Sequence, residues 1–139
     1  MTARKKTVVT PRPEARLYLA KAKQFSAEAS AATTGSRSDA AMLNAVHAVI
    51  SATDAVCVAL AGQRSADPDH QRAADLLQEI GGKSKDVTNN VRQVRMLLAK
   101  KNVVEYESRQ ATSREASEAV KRAARFVQWA SQTIEDAHL

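Results

Sequence analysis

Apolar residues recur along most of this chain at the three- and four-residue intervals of an amphipathic helix. The first such stripe is Ala15, Tyr18 with Leu19, Ala22, Phe25 and Ala29, and it predicts a helix from about Pro13 to Thr33-Thr34-Gly35-Ser36. Pro13 suits a first helical turn. A second stripe, Met42, Val46, Val49, Thr53, Val56 and Leu60, has Leu43, Ile50, Cys57 and Val58 on neighbouring faces. It predicts a helix from Ser38 or Asp39 to Leu60, with Ser38 as N-cap and Gly62 just past the end. Apolar over more than half its girth, this helix is expected at the centre of the fold.

Residues 63–69 read as a loop. A shorter helix is predicted from about Pro68 to Ile80, with Ala73, Leu76, Leu77 and Ile80 inward and Gly81-Gly82 as its stop. The fourth helix, about Lys85 to Glu107, carries Val87, Val91, Val94 and Leu98 at heptad spacing. The fifth begins near Thr112 or Ser113. Thr112 with Glu115 forms a capping box, and the stripe is Ala116, Val120, Ala123, Val127, Ala130, Ile134 and Ala137. Four long helices and one short one with short connections predict an all-α, antiparallel up-and-down bundle. The Thr10-Pro11-Arg12-Pro13 break makes residues 1–12 a flexible basic lead-in and residues 13–139 a single domain.

Composition narrows this further. The 139 residues are one domain's worth, and 44% apolar content is enough for a core. Only 4% aromatic residues, 4 glycines and 3 prolines argue against a β-sandwich or barrel. The single cysteine, Cys57, excludes an internal disulfide or a cysteine-built zinc site, and its apolar helical setting predicts a buried, unreactive thiol. No apolar run approaches a membrane span, and no apolar segment of a secretion signal follows the basic start. The expectation is a cytoplasmic protein without a membrane partner.

Charge is unevenly placed. The net charge is +6, of which residues 1–13 contribute +4 and residues 83–101 contribute +5, against −2 for residues 14–82 and −1 for residues 102–139. A basic tail and a basic fourth helix are either solvated faces or surfaces that meet phosphate.

The usual catalytic patterns are missing. His47, His70 and His138 are not at ligand spacing, so no metal is expected. There is no phosphate-cradling glycine loop, nucleophile elbow or carboxylate pair, and no cofactor is expected. His47 reads as a partly buried histidine bonded to a polar neighbour, and Asp67-Pro68-Asp69-His70 as a turn into a helix N-terminus. The most specific stretch is Lys100-Lys101-Asn102-Val103-Val104-Glu105-Tyr106-Glu107-Ser108-Arg109. Asn102, Glu105, Tyr106 and Arg109 fall on one helical face, either as a solvated end with a Glu105–Arg109 pair or as a polar site. Lys101 is expected to lie off the heptad stripe.

Three blocks together resemble the HEPN domain family of small helical bundles. They are Ala45-Val46-His47-Ala48-Val49-Ile50-Ser51-Ala52-Thr53-Asp54-Ala55 leading to Gly62; Asp69-His70 followed by Ala73, Leu76 and Leu77; and Lys101-Asn102-Val103-Val104-Glu105-Tyr106 followed by Ser113 and the last helix with Phe126. The resemblance covers about residues 14–135. It implies a dimer with the fourth helix near the two-fold axis. In ribonuclease members the third block reads arginine, a polar residue, variable positions, then histidine, and cleavage needs no metal. Here Lys101, Asn102 and Tyr106 stand at those positions. Lysine lacks the bidentate fork of arginine, and a phenol with a reference pKa near ~10 is a poor base at pH 7.

Three function classes follow. The resemblance favours a dimeric, non-catalytic interaction or RNA-binding module, with Arg95, Lys100, Lys101 and Arg109 as contacts to nucleic acid. The second is a metal-independent endoribonuclease of a toxin–antitoxin or defence system, paired with a nucleotidyltransferase or antitoxin and using Lys101, Asn102 and Tyr106. The third is a structural helical protein with no nucleic-acid role.

Overall fold

The computed structural model describes residues 6–139, apart from the side chain of Val103. Its helices are α1 (Ala15–Thr34), α2 (Ser38–Ala61), α3 (Gln71–Gly81), α4 (Lys85–Tyr106) and α5 (Ser113–Asp136), four long and one short. Strands β1 (Thr7–Val9) and β2 (Gln63–Ser65) form a small antiparallel ribbon beside the all-α bundle.

The alanine-dense α2 is the central element. Ala45, Ala48, Ala52, Ala55 and Ala59 are fully buried together with Met42, Val46, Val49 and Val56. Small side chains at these positions let neighbouring helices approach closely. By length and mean hydropathy (1.6 over its most apolar window) α2 could cross a membrane, contrary to the sequence expectation that no run is long enough. Its apolar surface is instead covered by α1, α3, α4 and α5, and it is the principal helix of the core cluster. The exception is Leu60, expected inward but 42% exposed in the last turn.

Local chemistry sets the helix ends. Gly62 adopts φ 65°, a left-handed conformation that terminates α2 and turns the chain into β2. Ser38 does not cap α2, for Arg37 holds that position and Ser38 is the first helical residue. The neighbouring Asp39 carboxylate instead accepts from the Ala111 amide at 2.7 Å, fastening the start of α2 to the loop before α5. The short helix starts later than Pro68, because Asp67 accepts from the Asp69 amide at 2.9 Å and Asp69 from the Gln71 amide at 3.0 Å. These turns delay α3 to Gln71. Ser84 caps α4 through the Val87 amide.

The lead-in needs correction. Residues 1–5 of the expected flexible tail lie outside the described residues. Thr7, Val8 and Val9, however, pair with Ser65, Arg64 and Gln63, in what was expected to be a loop. Arg12 donates from Nε to the Ala59 carbonyl at 2.7 Å. A cation is favoured at that free helix end, so part of the basic lead-in closes α2.

At the start of α5, Thr112 accepts from the Glu115 amide and the Glu115 carboxylate accepts from the Thr112 amide, the reciprocal box expected from sequence. Glu115 also receives both guanidinium nitrogens of Arg109, at 2.9 and 3.1 Å. The Arg109 hydrogen bonds and the Thr112 amide hold the Glu115 carboxyl down at about 2. Thr112→Ala removes the hydroxyl acceptor and should lower unfolding free energy by about 1 kcal/mol in chemical denaturation. An unchanged denaturation midpoint would show that the box does not hold α5.

Candidate functional site

The heptad stripe of α4 does not stop at Leu98. Continued at the same spacing, Val87, Val91, Val94 and Leu98 lead to Lys101 and Glu105. Val91, Val94, Leu97 and Leu98 are buried. Lys101 therefore occupies a seam position, not a position off the stripe. Its side chain is only 25% exposed, and its ammonium lies 3.4 Å from the Glu105 carboxylate. The apolar seam thus ends in a partly shielded ion pair.

Two histidines from other elements lie within electrostatic reach of this ion pair. His47 on α2 packs its ring against Phe25, centroid to centroid 5.4 Å, and feels the charges of Lys101 and Glu105. His70, at the N-cap of α3, feels Lys101, His47, Asp69 and Glu105. Burial first, then the Lys101 charge, lowers the pKa of both imidazoles, and at His70 the neighbouring His47 adds to this. The expected hydrogen-bonded role of His47 is thus replaced by ring packing and a charged neighbourhood. Sequence spacing did not associate the two histidines because they sit on different helices. Among the described residues, no group of three His, Cys, Asp or Glu side chains is arranged to hold a metal ion.

Asn102 and Tyr106 lie four residues apart on the adjacent face of α4, and both are exposed, Tyr106 to 77%. The same face carries Arg92, Arg95 and Ala99 at heptad intervals. Arg92 is exposed and was not singled out from the sequence, although the spacing from Asn102 and Tyr106 carries the signal. Lys100 is exposed on the other flank. It borders a cleft between α4 and α5 of about 130 Å³, lined by Met96, Leu97, Glu115, Glu118, Ala119 and Arg122. The cleft exists because α4 packs mainly on α2 and α3, while α5 packs mainly on α2 and α1.

Two other candidates are engaged elsewhere. Arg95 donates to Asp75 at 2.6 Å and to the Gln71 side chain at 3.3 Å, so it braces α4 against α3. The Arg95 hydrogen bond holds Asp75 below the usual carboxylate range. Arg109 lies beyond the last residue of α4, in the loop before α5, and is bound to Glu115. It does not share the face of Asn102 and Tyr106, and the expected Glu105–Arg109 pair is replaced by Lys101–Glu105 and Arg109–Glu115.

A second polar cluster sits beside β2. Asp54 on α2 is largely buried, and burial pushes its carboxyl up to about 7 against the opposing pull of Arg64. Arg64 and Lys21 both lie over the Tyr18 ring, at 5.8 and 5.7 Å. Arg64 Nε is buried without a hydrogen-bond partner. Cys57 is buried as expected, and burial, then Asp54, drives its thiol pKa up, so it is an inert thiol.

A central alanine-rich helix wrapped by four others, with a polar Lys-Asn-x-x-x-Tyr end on α4, defines a small helical-bundle module. The family model of the HEPN domain matches residues 15–134, and the chain belongs to the HEPN family. No curated protein and no solved structure matches it.

Proposed function

We propose that this chain is a dimeric HEPN module that binds RNA at the outer face of α4 without cleaving it efficiently. The observation that carries this reading is the side-by-side exposure of Asn102 and Tyr106 between Lys100 and the Lys101 pair. Exposed Ala99 gives a second copy of α4 room to approach. A two-fold pairing would then line a groove with two phenols and two amides, able to stack on bases and hydrogen-bond to sugar or phosphate. With Arg95 and Arg109 bound to carboxylates, the cationic rim consists of Arg92, Lys100 and Lys101. Tyr106 can donate a hydrogen bond to phosphate, but a phenol is a poor general base near neutral pH. A toxin–antitoxin or defence setting, with a nucleotidyltransferase or antitoxin partner, is the context in which such a module would act.

Metal-independent cleavage is the second reading. It is favoured by the two imidazoles within electrostatic reach of Lys101, which could handle protons that Tyr106 cannot. Incubating the purified protein and its Tyr106→Phe variant with RNA in chelator separates the readings. Retarded but intact RNA is expected, and rapid cleavage would sink the binding-only reading. Because Lys101 is a seam residue, Lys101→Met is the suitable variant, as it keeps the aliphatic stem. It should weaken RNA binding and reduce the slope of log affinity against log salt by about 1. An unchanged slope would place the RNA elsewhere, and a monomeric mass at micromolar concentration would remove the composite groove.

A further inference from the structure

Among the described residues, α2 and α3 pack on β2, and no helix packs comparably on β1. Thr7, Val8 and Val9 are all β-branched and all exposed. Val9, at 89%, is the most exposed large apolar side chain described. The strand is nonetheless held in place. The Thr10 amide donates to the Gly62 carbonyl at 2.9 Å, and the Ala66 amide to the Lys6 carbonyl at 2.9 Å. Thr10 itself is buried. In an antiparallel ladder, hydrogen-bonded and non-hydrogen-bonded pairs alternate. With Lys6 and Thr10 bonded toward β2, the next bonded position is Val8, opposite Arg64. The N–H and C=O of Thr7 and Val9 therefore point away from β2, and among the described residues nothing bonds them. Donors and acceptors alternating along a fixed, open edge are a template for one more strand. Charge surrounds that edge unevenly. Lys6 precedes β1, Arg12 follows it and Arg64 stands opposite Val8, while residues 1–13 and β2 contain no carboxylate.

We propose that the outer edge of β1 docks an extended, acidic segment of a partner protein, which joins the ribbon as a third strand. This surface is separate from the face of α4 and does not depend on the RNA-binding reading. The backbone of the segment accepts from the N–H groups of Thr7 and Val9 and donates to their carbonyls. Its apolar side chains pair across the strand with Val9. Its carboxylates meet Lys6 and the other cations around the ribbon. The paired stretch is only three residues long. That is far short of the ~1,000 Å² a stable interface buries, so backbone bonds alone hold no occupant and charge decides between them. A second copy of β1 would bring two cationic, carboxylate-free segments together, and lysine beside an open edge is a device that opposes such self-pairing. An RNA strand would meet the cations, but its phosphate oxygens accept only and leave the Thr7 and Val9 carbonyls without donors. An acidic extended polypeptide satisfies both the charge and the backbone.

Amide hydrogen exchange of the full chain, read residue by residue by NMR, provides the test. The probe is a synthetic peptide of alternating valine and threonine flanked by glutamates and blocked at both ends. At about 1 mM peptide the Thr7 and Val9 amides should exchange at least about fivefold more slowly, while the Val8 amide, already bonded to β2, stays as it was. The protection should fade at high salt. A peptide with lysine in place of glutamate should give none, nor should one N-methylated along the edge that faces β1. In Val9→Pro, which removes an outward donor and no bond of the ribbon, protection of Thr7 should be lost with the helical circular dichroism unchanged. Absence of protection by the acidic peptide overturns the proposal. Equal protection by the lysine peptide overturns the charge argument and with it the choice of partner. Protection that grows with protein concentration alone gives the edge to a second copy. Protection by a single-stranded RNA pentanucleotide and not by the peptide makes β1 part of the RNA surface instead.

Discussion

Phe126→Ala is expected to lower the unfolding free energy by about 4 kcal/mol, the usual cost of emptying a buried phenylalanine site. Phe126 is 1% exposed and heads the fully buried side chains by volume. Its position in α5 makes it decisive. The rest of the buried stripe of α5 is mostly small: Ala116, Ala119, Ala123 and Ala130, with Val127 and Ile134. That helix leans on α2 and α1 and touches α4 little, so few other large side chains hold it. Trp129 packs against the Phe126 ring at 5.5 Å and donates to Asp86 at 2.8 Å, one of the few ties between α5 and α4. Truncating Phe126 should loosen that tie as well. A domain of this size has about 5–15 kcal/mol of net stability, so the variant should sit near its folding threshold. Thermal unfolding should shift down by roughly 15 °C. A loss below about 1 kcal/mol would mean that α5 is not anchored through Phe126.

Asp54→Asn should stabilise the protein in a pH-dependent way, reaching about 4 kcal/mol above pH 7. Asp54 in the folded chain holds its proton up to about 7, against 3.8 when unperturbed. Between those two values the folded state binds the proton and the unfolded state does not. The contribution of Asp54 to stability is therefore fully present below about 3.8 and lost as pH rises through about 7. Asparagine carries no charge to bury, so the variant should match the parent near pH 4 and exceed it at pH 8. Arg64 offsets part of the cost of ionising Asp54, so Arg64→Met should extend the loss of stability to higher pH and make it larger. Equal stability of Asp54→Asn and parent at pH 8 would show that Asp54 reaches solvent in the folded state.

The reach of sequence reasoning is visible in α4. Its heptad stripe is periodic and local, so Val87, Val91, Val94 and Leu98 were legible at once. The same count places Lys101 and Glu105 on the seam, a signal present in the sequence but masked by the polarity of the residues. The exposure of Asn102 and Tyr106 on the neighbouring face also follows from helical periodicity. What no count could show is where His47 and His70 lie, because they belong to other helices whose rotation about their axes is set by packing. Arg95 is similar. Its engagement by Asp75 depends on how α3 lies across α4, twenty residues apart in the chain.

By itself the sequence determined the class of fold, the number of helices, the glycine stops and the capping box at Thr112. Each depends on residues within a few positions of one another, where backbone geometry leaves little choice. The tertiary structure decided the pairing of Thr7–Val9 with Gln63–Ser65, the Arg12 bond to Ala59, and the bond of the Ala111 amide to Asp39. Those contacts join segments separated by a whole helix or more. They form only when burial of the alanine faces of α2 brings the surrounding elements to fixed positions, and that packing energy is a property of the whole chain.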